Sequence, residues 1–526
     1  MFLSLRRSTF GSGLRPGLPR SSSTSHPFLR RISLLCSSLA LLSGALACGG
    51  GGGGGGGGTT QPAAGKALVR FVHASPDTPA ALFYPQGDVA TPLSSALSFG
   101  TASAYLELPA GRQAIDMRLQ DDGVVGEPIL DGAIVSFEAG QKYSIVLAGQ
   151  VRAEDADSAL RLVRVQEAYL AAPPGQSQFV FVHALADAES LVLDTAPLGS
   201  DDLTLSRFTH SGAAGLSVTP AAMSWRSAGG VSTSFTNPEA TPAGEQGLIV
   251  VTGLEKGHPV AVEGPKAGMQ LLVVPTDTSR PLQRVRQDPR VFAFHAALPS
   301  TNLYDLFVDL DGDGSCESEL FDALSAADPG ALPSAQLPKG VRAFEVFVHQ
   351  AGSQRPASAP LLRQEITLAE GQRSLLALSG FQTPAAGQVG LSLNAYTDAL
   401  ATDDNLQARV RFIHSAPTLG ALQVGPAAGS ALAAFWFSAI PYRGASDESG
   451  RATAPLTTAT RLGLSASPAS SPLLASFDLP ANAALAATRS FWLVYGAPPS
   501  LRLARIALPV DLSSPARSPW TWSRLP

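Results

Sequence analysis

The stretch ALVRFVHASPD, Ala67 to Asp77, sets the pattern of the chain. Val69, Phe71 and His73 alternate with residues of the opposite face, which is typical of a half-buried β-strand that ends at a histidine. Three later segments have the same form: QFVFVHALAD from Gln178, RVFAFHAALP from Arg290 and RVRFIHSAPT from Arg409. The unit therefore recurs at a period of about 110 to 120 residues, which indicates a repeat protein.

A second block follows each of these strands in the same order. The four copies are GQKYSIVLAG from Gly140, GEQGLIVVTG from Gly244, GQRSLLALSG from Gly371 and ATRSFWLVYG from Ala487. An apolar run between two turn glycines predicts a buried core strand bounded by positions of positive φ. Two blocks in a fixed order make a chance match implausible and indicate four repeats.

The first repeat predicts seven short strands, bounded by glycine, proline and polar residues. They are Ala67–His73, Ala81–Tyr84, Ala102–Leu106, Gln113–Leu119, Ala133–Phe137, Tyr143–Ala148 and Leu160–Val165. Seven strands in a repeat of this length fit an antiparallel β-sandwich. We therefore expect an all-β chain of four tandem immunoglobulin-like antiparallel β-sandwich domains, after a signal peptide and a polyglycine linker.

The repeats and the turn-rich joints between them predict the domain boundaries. The sandwiches are expected at 66–172, 176–286, 289–402 and 407–515, followed by a tail at 516–526. The tail has no strand pattern, and we expect its Trp520 and Trp522 to dock on the last domain.

The first 65 residues read as an export and tethering segment. Residues 1–47 form the predicted signal peptide, because the apolar run from Ile32 to Ala47 follows two arginines and is too short to span a membrane. Its LAC ending resembles the lipobox of bacterial lipoproteins, which implies lipidation of Cys48; an ordinary secretory cleavage after Ala47 is the alternative. Residues 48–65 contain ten consecutive glycines and form a flexible tether.

The charge balance excludes some partners. Six of the 37 basic residues lie in residues 1–47, which contain no acidic residue, so the rest of the chain carries 31 basic against 42 acidic side chains. Such a body has no electrostatic footprint for nucleic acid. The expected partners are a membrane, through the lipid anchor, and an envelope polysaccharide or surface protein.

The motif FVHASPD, followed by Ala139-Gly140 and Tyr143, resembles the domain of unknown function 4397 family, found in bacterial surface and secreted proteins. The resemblance implies tandem copies of an extracytoplasmic β-sandwich with no known enzymatic activity. Gly49 stands where lipoproteins retained at the inner membrane usually have aspartate, so the lipoprotein resemblance implies an exported protein anchored in the outer membrane of the cell envelope.

The repeated histidines are His73, His183, His295 and His414. One histidine in each of four separate domains has no second ligand at metal-binding spacing. We expect a structural role, in which each ring hydrogen-bonds into the turn after its strand.

The third repeat carries the sharpest chemical motif, DLDGDG from Asp309. Alternate carboxylates before a glycine turn are typical of Ca²⁺ loops. The candidate ligands are Asp309, Asp311, Asp313, Ser315 and Glu317. The twelfth loop position is Leu320 rather than glutamate, and Glu319 or Asp322 would substitute only along a different loop path. The alternative is a solvated acidic hairpin turn without metal.

The sequence lacks a nucleophile elbow, a zincin motif, a phosphate-binding loop and a Cys-x-x-Cys pair. We therefore expect no enzymatic activity, no catalytic residues and no cofactor besides the candidate Ca²⁺. The first hypothesis is a cell-envelope lipoprotein that acts as a non-catalytic binding, adhesion or structural module. The alternatives are a carbohydrate-active or other hydrolytic enzyme and a Ca²⁺-stabilised spacer without a ligand.

Overall fold

The protein is all-β in the part of the chain that the computed structural model describes. The described residues are 65–121, 124–153, 155–194, 201–218, 222–227, 232–237, 241–255, 268–310, 312–316, 318–326, 330–337, 343–352, 359–369, 371–400, 407–481, 483–484, 488–508 and 520–525. The elements within these ranges are strands joined by turns, with no helix. None of them is a helix long and apolar enough to cross a membrane.

The strands fall into four groups along the chain. The first group is β1 Lys66–His73, β2 Ala81–Pro85, β3 Leu106–Pro109, β4 Gly111–Asp121, β5 Val124–Phe137, β6 Lys142–Ala148 and β7 Arg161–Gln166. The second is β8 Ser177–His183, β9 Ser190–Asp194, β10 Leu203–Ser206, β11 Leu216–Val218, β12 Ala222–Ser227, β13 Ser232–Thr236, β14 Gln246–Thr252, β15 Gln270–Pro275 and β16 Gln283–Arg286.

The third group is β17 Arg290–Leu298, β18 Tyr304–Asp309, β19 Ser318–Leu324, β20 Gly330–Ala331, β21 Ser334–Gln336, β22 Ala343–Gln350, β23 Leu362–Thr367, β24 Arg373–Phe381 and β25 Ser392–Thr397. The fourth is β26 Ala408–Ser415, β27 Leu422–Ala428, β28 Ala431–Leu432, β29 Phe437–Ile440, β30 Arg451–Thr453, β31 Thr460–Ala466, β32 Leu473–Leu479, β33 Arg489–Tyr495, β34 Arg502–Leu508 and β35 Thr521–Leu525.

Each group forms two sheets, and β20 of the third group joins a sheet of the fourth, so the predicted succession of β-sandwiches is confirmed. The sheet orders are β3-β1-β6-β7 with β2-β4-β5, β11-β8-β14-β15-β16 with β10-β9-β12-β13, β21-β17-β24-β25 with β19-β18-β22-β23, and β20-β35-β34-β33-β26-β30 with β28-β27-β31-β32, where β29 also pairs with β27. Each sandwich has its own apolar core. In the first, Phe71 and Phe83 stack across the two sheets with ring centroids 4.2 Å apart.

The two repeated sequence blocks are neighbouring strands in every sandwich. They form the pairs β1–β6, β8–β14, β17–β24 and β26–β33, which are parallel, whereas the other strand pairs in these sheets are antiparallel. In the first pair His73 lies opposite Leu147. The described turn glycines of the second blocks have φ between 71° and 96°, which confirms the prediction of left-handed positions there.

Six of the seven strands predicted in the first repeat lie where the sequence placed them, to within a few residues at most ends. The third begins later, at Leu106 rather than Ala102. Ser103 causes this difference, because its Oγ accepts the N–H of Phe71 at 2.9 Å and its own N–H donates to the Phe71 carbonyl. In a regular β-ladder the N–H and the carbonyl of Phe71 would both pair with the backbone of the neighbouring strand. Here both bond to Ser103 instead, the N–H through the side chain of that serine.

The sandwiches dock in two pairs through the sheets that contain the histidine strands. Between the first and second sandwiches the apolar contact comprises Val72, Ala74, Val146, Ala148, Val163, Val165, Val180, Val182, Ala184, Leu248, Val250, Leu272 and Val274. Between the third and fourth it comprises Phe292, Phe294, Ala296, Leu332, Leu375, Ala377, Tyr396, Leu400, Ile413, Phe491, Leu493, Tyr495, Ala504, Ile506, Leu508, Trp520 and Trp522. These sheets are therefore buried on both faces, which explains their nearly unbroken apolar sequences.

The C-terminal tail contributes a strand rather than a loop docked on the surface. β35 pairs with β34 of the fourth sandwich and with β20 of the third. Trp520 stacks on Phe292 of the third sandwich, with ring centroids 4.0 Å apart and an interplanar angle of 5°. The tail therefore joins the third and fourth sandwiches, and its tryptophans contact more than the last domain.

Candidate functional site

The four repeated histidines are buried, each in the second half of the first strand of a different sandwich. His73, His183 and His414 are 0% exposed and His295 is 2% exposed. The residue two positions before each of them faces the core of its own sandwich, and the four histidines are not brought together into one site.

Three of the rings reach into the turn that follows the strand. The Nε2 atoms lie near backbone carbonyl oxygens in the contacts His73 to Pro79 (3.2 Å), His295 to Asn302 (2.9 Å) and His414 to Gly420 (2.9 Å). In the last two sandwiches a backbone N–H two residues later donates to Nδ1. A ring that donates from Nε2 and accepts at Nδ1 is a neutral imidazole with both nitrogens in use.

Burial keeps these rings uncharged. It lowers the pKa of His73 to about 4 and that of His183 to about 3, and it lowers the pKa of His295 and His414 as well. At His73, His295 and His414 a neutral ring bonded to the turn holds the backbone in place, whereas the structure shows no such bond for either ring nitrogen of His183. That arrangement suits packing better than proton transfer at neutral pH.

The predicted calcium loop is closed by its own backbone. Asp309 ends β18 and is 1% exposed. Its Oδ1 accepts the N–H of Gly312 at 2.6 Å, and its Oδ2 accepts the N–H of Gly314 at 2.7 Å. Both glycines have φ above 80°, which the sharp turn requires.

The other candidate ligands of the loop divide into two groups. Asp313 is exposed, and its Oδ1 accepts the N–H of Ser315 at 2.7 Å. Asp311 and Glu317 lie outside the described residues, as do Cys48, the signal segment and the polyglycine tether. Calcium binding by this loop stays a prediction.

A different acidic cluster lies beside the loop, on β18 and β19. Asp305, Glu319 and Asp322 each present a carboxylate oxygen within 4.8 Å of the other two. Asp305 is buried, whereas Glu319 and Asp322 are exposed. The sequence pattern suggests Glu319 and Asp322 as substitute ligands along a different loop path, but it does not indicate Asp305. The available signal was its spacing, because Asp305 and Asp309 share one face of an alternating strand.

An irregularity in β19 brings Asp322 to Asp305. The register of β18 with β19 shifts twice, on either side of Leu306. Ala323 has φ of 46° there, and its N–H donates to Asp305 Oδ1 at 2.9 Å. The other oxygen of Asp305 accepts the N–H of Gly352 at 2.9 Å. A bulge of this kind re-aims side chains, and a non-glycine residue at positive φ is strained.

The cluster places three carboxylates close together. Partial burial and the charges of Asp322 and Asp305 raise the pKa of Glu319. On the neighbouring strand His349 lies opposite Asp305 and is 3% exposed. Burial lowers the pKa of His349, while the charge of Asp305 raises it. This end of the third sandwich therefore favours a cation.

Comparison with known proteins gives a family match for one part of the chain and no activity. No curated protein matches the chain. Among solved structures, the Bacillus anthracis TIE protein matches at 9% identity with a TM-score of 0.14. The match covers 60% of this chain and 49% of that one, so the chain spans about half the length of that protein. A likeness this weak carries no argument.

A family model matches the N-terminal part of the described chain. The match extends over residues 60–194, which contain the first sandwich and the strands β8 and β9 of the second. Membership of the later repeats in the same family stays a prediction. The resemblance of the FVHASPD repeat is confirmed, because residues 60–194 match the family described as Domain of unknown function (DUF4397).

Proposed function

We propose that the protein is a lipid-anchored cell-envelope protein whose sandwiches form a non-catalytic scaffold for binding or adhesion. The observation that carries the proposal is the docking of the sandwiches in pairs. Each docked pair buries a contact of aliphatic or aromatic side chains on sheets that already face a core on their other side. Such contacts resemble a domain core more than the polar contacts of domains that move independently.

Polar contacts across the first interface support the same conclusion. The guanidinium of Arg284 in the second sandwich donates to the backbone carbonyl of Phe99 in the first, and the Thr252 hydroxyl donates to the carbonyl of Ala74. These bonds fix the orientation of one sandwich against the other. A pair held in this way presents its outer surfaces in a fixed arrangement, which is the requirement for a binding or adhesion module.

The anchor part of the proposal rests on the sequence before residue 66. The apolar segment, Cys48 and the ten glycines form an order that suits export, lipidation and spacing from a membrane. A membrane-held scaffold in the outer membrane is consistent with an acidic body that lacks a basic surface for nucleic acid.

Metabolic labelling with a palmitate analogue in a bacterium that processes lipoproteins tests the anchor. We expect label on the wild-type chain, recovery in the outer-membrane fraction, and loss of both in Cys48→Ala. Cys316→Ala is the matched control and should keep both. Equal fractionation of Cys48→Ala and wild type would show that the anchor is wrong. Protease treatment of intact cells then distinguishes the surface face from the periplasmic face.

A binding assay on isolated envelope polysaccharide and on purified envelope fractions tests the scaffold role. We expect retention of the purified chain on one of these surfaces. If it is retained on none of them, the spacer hypothesis replaces the binding hypothesis. Hydrolysis of a polysaccharide by the purified chain would contradict a non-catalytic role.

A further inference from the structure

A small cavity lies between the third and fourth sandwiches, next to the acidic cluster. Its volume is about 200 Å³. Its walls come from β17, β19 and the segment before β21 in the third sandwich, and from β33 and β35 in the fourth. The cavity therefore exists only because the two sandwiches dock and the tail strand is in place.

Three aromatic rings form one side of this cavity. Phe294, Tyr495 and Trp522 line it, and the Phe294 ring has its centroid 5.3 Å from each of the other two. Both contacts are nearly perpendicular, at 86°. Aromatic side chains on a cavity wall are the kind of lining to which alkylammonium groups bind.

The polar side of the cavity is negative. Asp322 lines it, and the carboxylates of Glu319 and Asp305 lie within 4.8 Å of the Asp322 carboxylate. Neither lysine nor arginine is among the described residues of the lining. Arg502, which is opposite Tyr495 in the sheet, is outside that lining.

The histidine in the lining does not offset this charge. His295 is neutral, because burial lowers its pKa, and it is already bonded to Asn302 and Ala297. The cavity thus combines an aromatic wall, a carboxylate and a net negative field in a volume below that of pockets for drug-sized ligands.

We propose that this cavity binds a small alkylammonium group, with the aromatic rings of Phe294, Tyr495 and Trp522 around its methyl groups and Asp322 as its counter-charge. An ammonium with alkyl substituents has no compact hydration shell, so the rings replace little water and the carboxylates supply the attraction. This inference does not depend on the lipid anchor or on the scaffold role.

Calorimetric titration of the purified chain with choline chloride tests it, at ionic strength matched with NaCl. The neutral isostere 3,3-dimethylbutan-1-ol is the comparison probe. We expect choline to bind about tenfold or more tightly than the alcohol, because only choline gains from the rings' quadrupoles and from the carboxylates. Equal binding of the two probes, or no choline binding at millimolar concentration, would overturn the proposal.

Two variants locate the site. Asp322→Asn removes the charge of an exposed residue with little change of shape, and we expect it to weaken choline binding about tenfold or more with an unchanged melting temperature. Asp157→Asn, an exposed carboxylate of the first sandwich, should bind choline like the wild type. Trp522→Leu should abolish binding; if it fails to fold, Asp322→Asn decides. Undiminished binding by Asp322→Asn would overturn the site.

Two further titrations test whether the ligand is instead a metal ion or a lipid headgroup. A Ca²⁺ signal that Asp322→Asn abolishes, together with no choline signal, would replace the proposal with a metal site. Binding to phosphatidylcholine vesicles without binding of free choline would make the ligand a lipid headgroup and also overturn it. We expect neither result, because a headgroup brings a phosphate next to three carboxylates.

Discussion

Asp398 Oδ2 lies 2.7 Å from Nη2 of Arg489, an ion pair between the third and fourth sandwiches in which both residues are at most 1% exposed. The same oxygen is 2.8 Å from Nη2 of Arg373. In the first sandwich Glu167 occupies the equivalent place directly after the last strand, and its Oε1 is 3.2 Å from Nη2 of Arg70. In each docked pair, therefore, a carboxylate directly after a strand neutralises a buried arginine.

The first prediction is that Asp398→Asn strongly destabilises the third and fourth sandwiches. The substitution leaves the buried Arg489 and the partly buried Arg373 without their counter-charge, and the loss of one partner of a buried pair costs about 3–5 kcal/mol. Urea unfolding followed by tryptophan fluorescence checks this, because Trp520 and Trp522 lie at the affected interface. Asp478→Asn, an exposed position on β32, is the control and should change stability by less than about 0.5 kcal/mol. A similar small change in Asp398→Asn would mean that the ion pair does not hold the interface.

The second prediction is that stability falls when the pH is lowered from 7.5 to 5. The folded-state pKa values of His73 and His183, about 4 and about 3, lie below the ordinary value of 6.5. The unfolded chain therefore takes up protons in this range and the folded chain does not. The contribution of each ring is fully present above pH 6.5 and is lost as the pH falls toward the folded value. At pH 5 the loss is on the order of 2 kcal/mol per histidine.

Urea midpoints measured at several pH values check this dependence, with His73→Gln as the test variant. We expect the variant to lose about 1–3 kcal/mol at pH 7.5, since it loses the contact with the Pro79 carbonyl, and to show a shallower pH dependence. An unchanged slope in His73→Gln, or a loss of bound metal without destabilisation, would contradict a structural role.

The sequence was sufficient to predict the individual sandwiches but not their docking. The alternation that ends at His73 and the glycines at Gly140 and Gly149 are local signals, because they depend on the pleat and on backbone conformation. The docking depends on the other face of the same strand, where Val72 and Val146 meet the second sandwich. The sequence of a strand buried on both faces is a continuous apolar run. That run does not indicate which element packs against the second face.

The tail and the acidic cluster were missed for related reasons. Trp520 and Trp522 lie in a segment without alternation, and β35 forms only because β34 and β20 offer edges to it. Asp322 approaches Asp305 only through a bulge in β19. A bulge breaks the period of two on which strand patterns rely, so spacing alone directs attention to the Asp309 loop instead.

The third prediction distinguishes two reasons why a turn position needs glycine: a positive φ, and a lack of room for a Cβ. Gly140 and Gly149 have φ of 81° and 87°. A Cβ at Gly140 would have open space around it, whereas one at Gly149 would be 2.5 Å from the Ala159 carbonyl oxygen. We expect Gly140→Ala to cost about 1–2 kcal/mol, the penalty of the left-handed conformation, and Gly149→Ala to cost clearly more. Urea unfolding of both variants checks this, and equal costs would show that the backbone at Ala159 moves aside.

The fourth prediction is that Asp309 stabilises its turn without metal. Asp309→Asn replaces one carboxylate oxygen by an amide nitrogen, so the N–H of either Gly312 or Gly314 loses its acceptor. We expect a loss of about 1–3 kcal/mol in the presence of EDTA. Asp313→Asn, at an exposed position of the same loop, should cost less. A melting temperature that rises with millimolar Ca²⁺ in the wild type but not in Asp309→Asn would instead support the calcium hypothesis, since binding to the folded chain alone stabilises it.

The fifth prediction concerns the tail as a bridge between sandwiches. Trp520 is 0% exposed, stacks on Phe292, and meets the Phe491 ring at 85° with centroids 5.5 Å apart. Trp520→Ala removes both contacts and leaves a cavity in the interface, which costs about 3–5 kcal/mol. Phe435→Ala, at a side chain of the fourth sandwich that is 47% exposed, is the matched control and should cost little.

Hydrogen exchange measured by mass spectrometry then reports where the Trp520→Ala variant opens. We expect faster exchange in β17 and β33, which face each other across the interface, and unchanged exchange in β1 and β8, because the first pair has its own separate contact. If β1 and β8 also exchanged faster, the two pairs would unfold as one unit. If β17 stayed protected, the stack of Trp520 on Phe292 would not be what holds the third sandwich to the fourth.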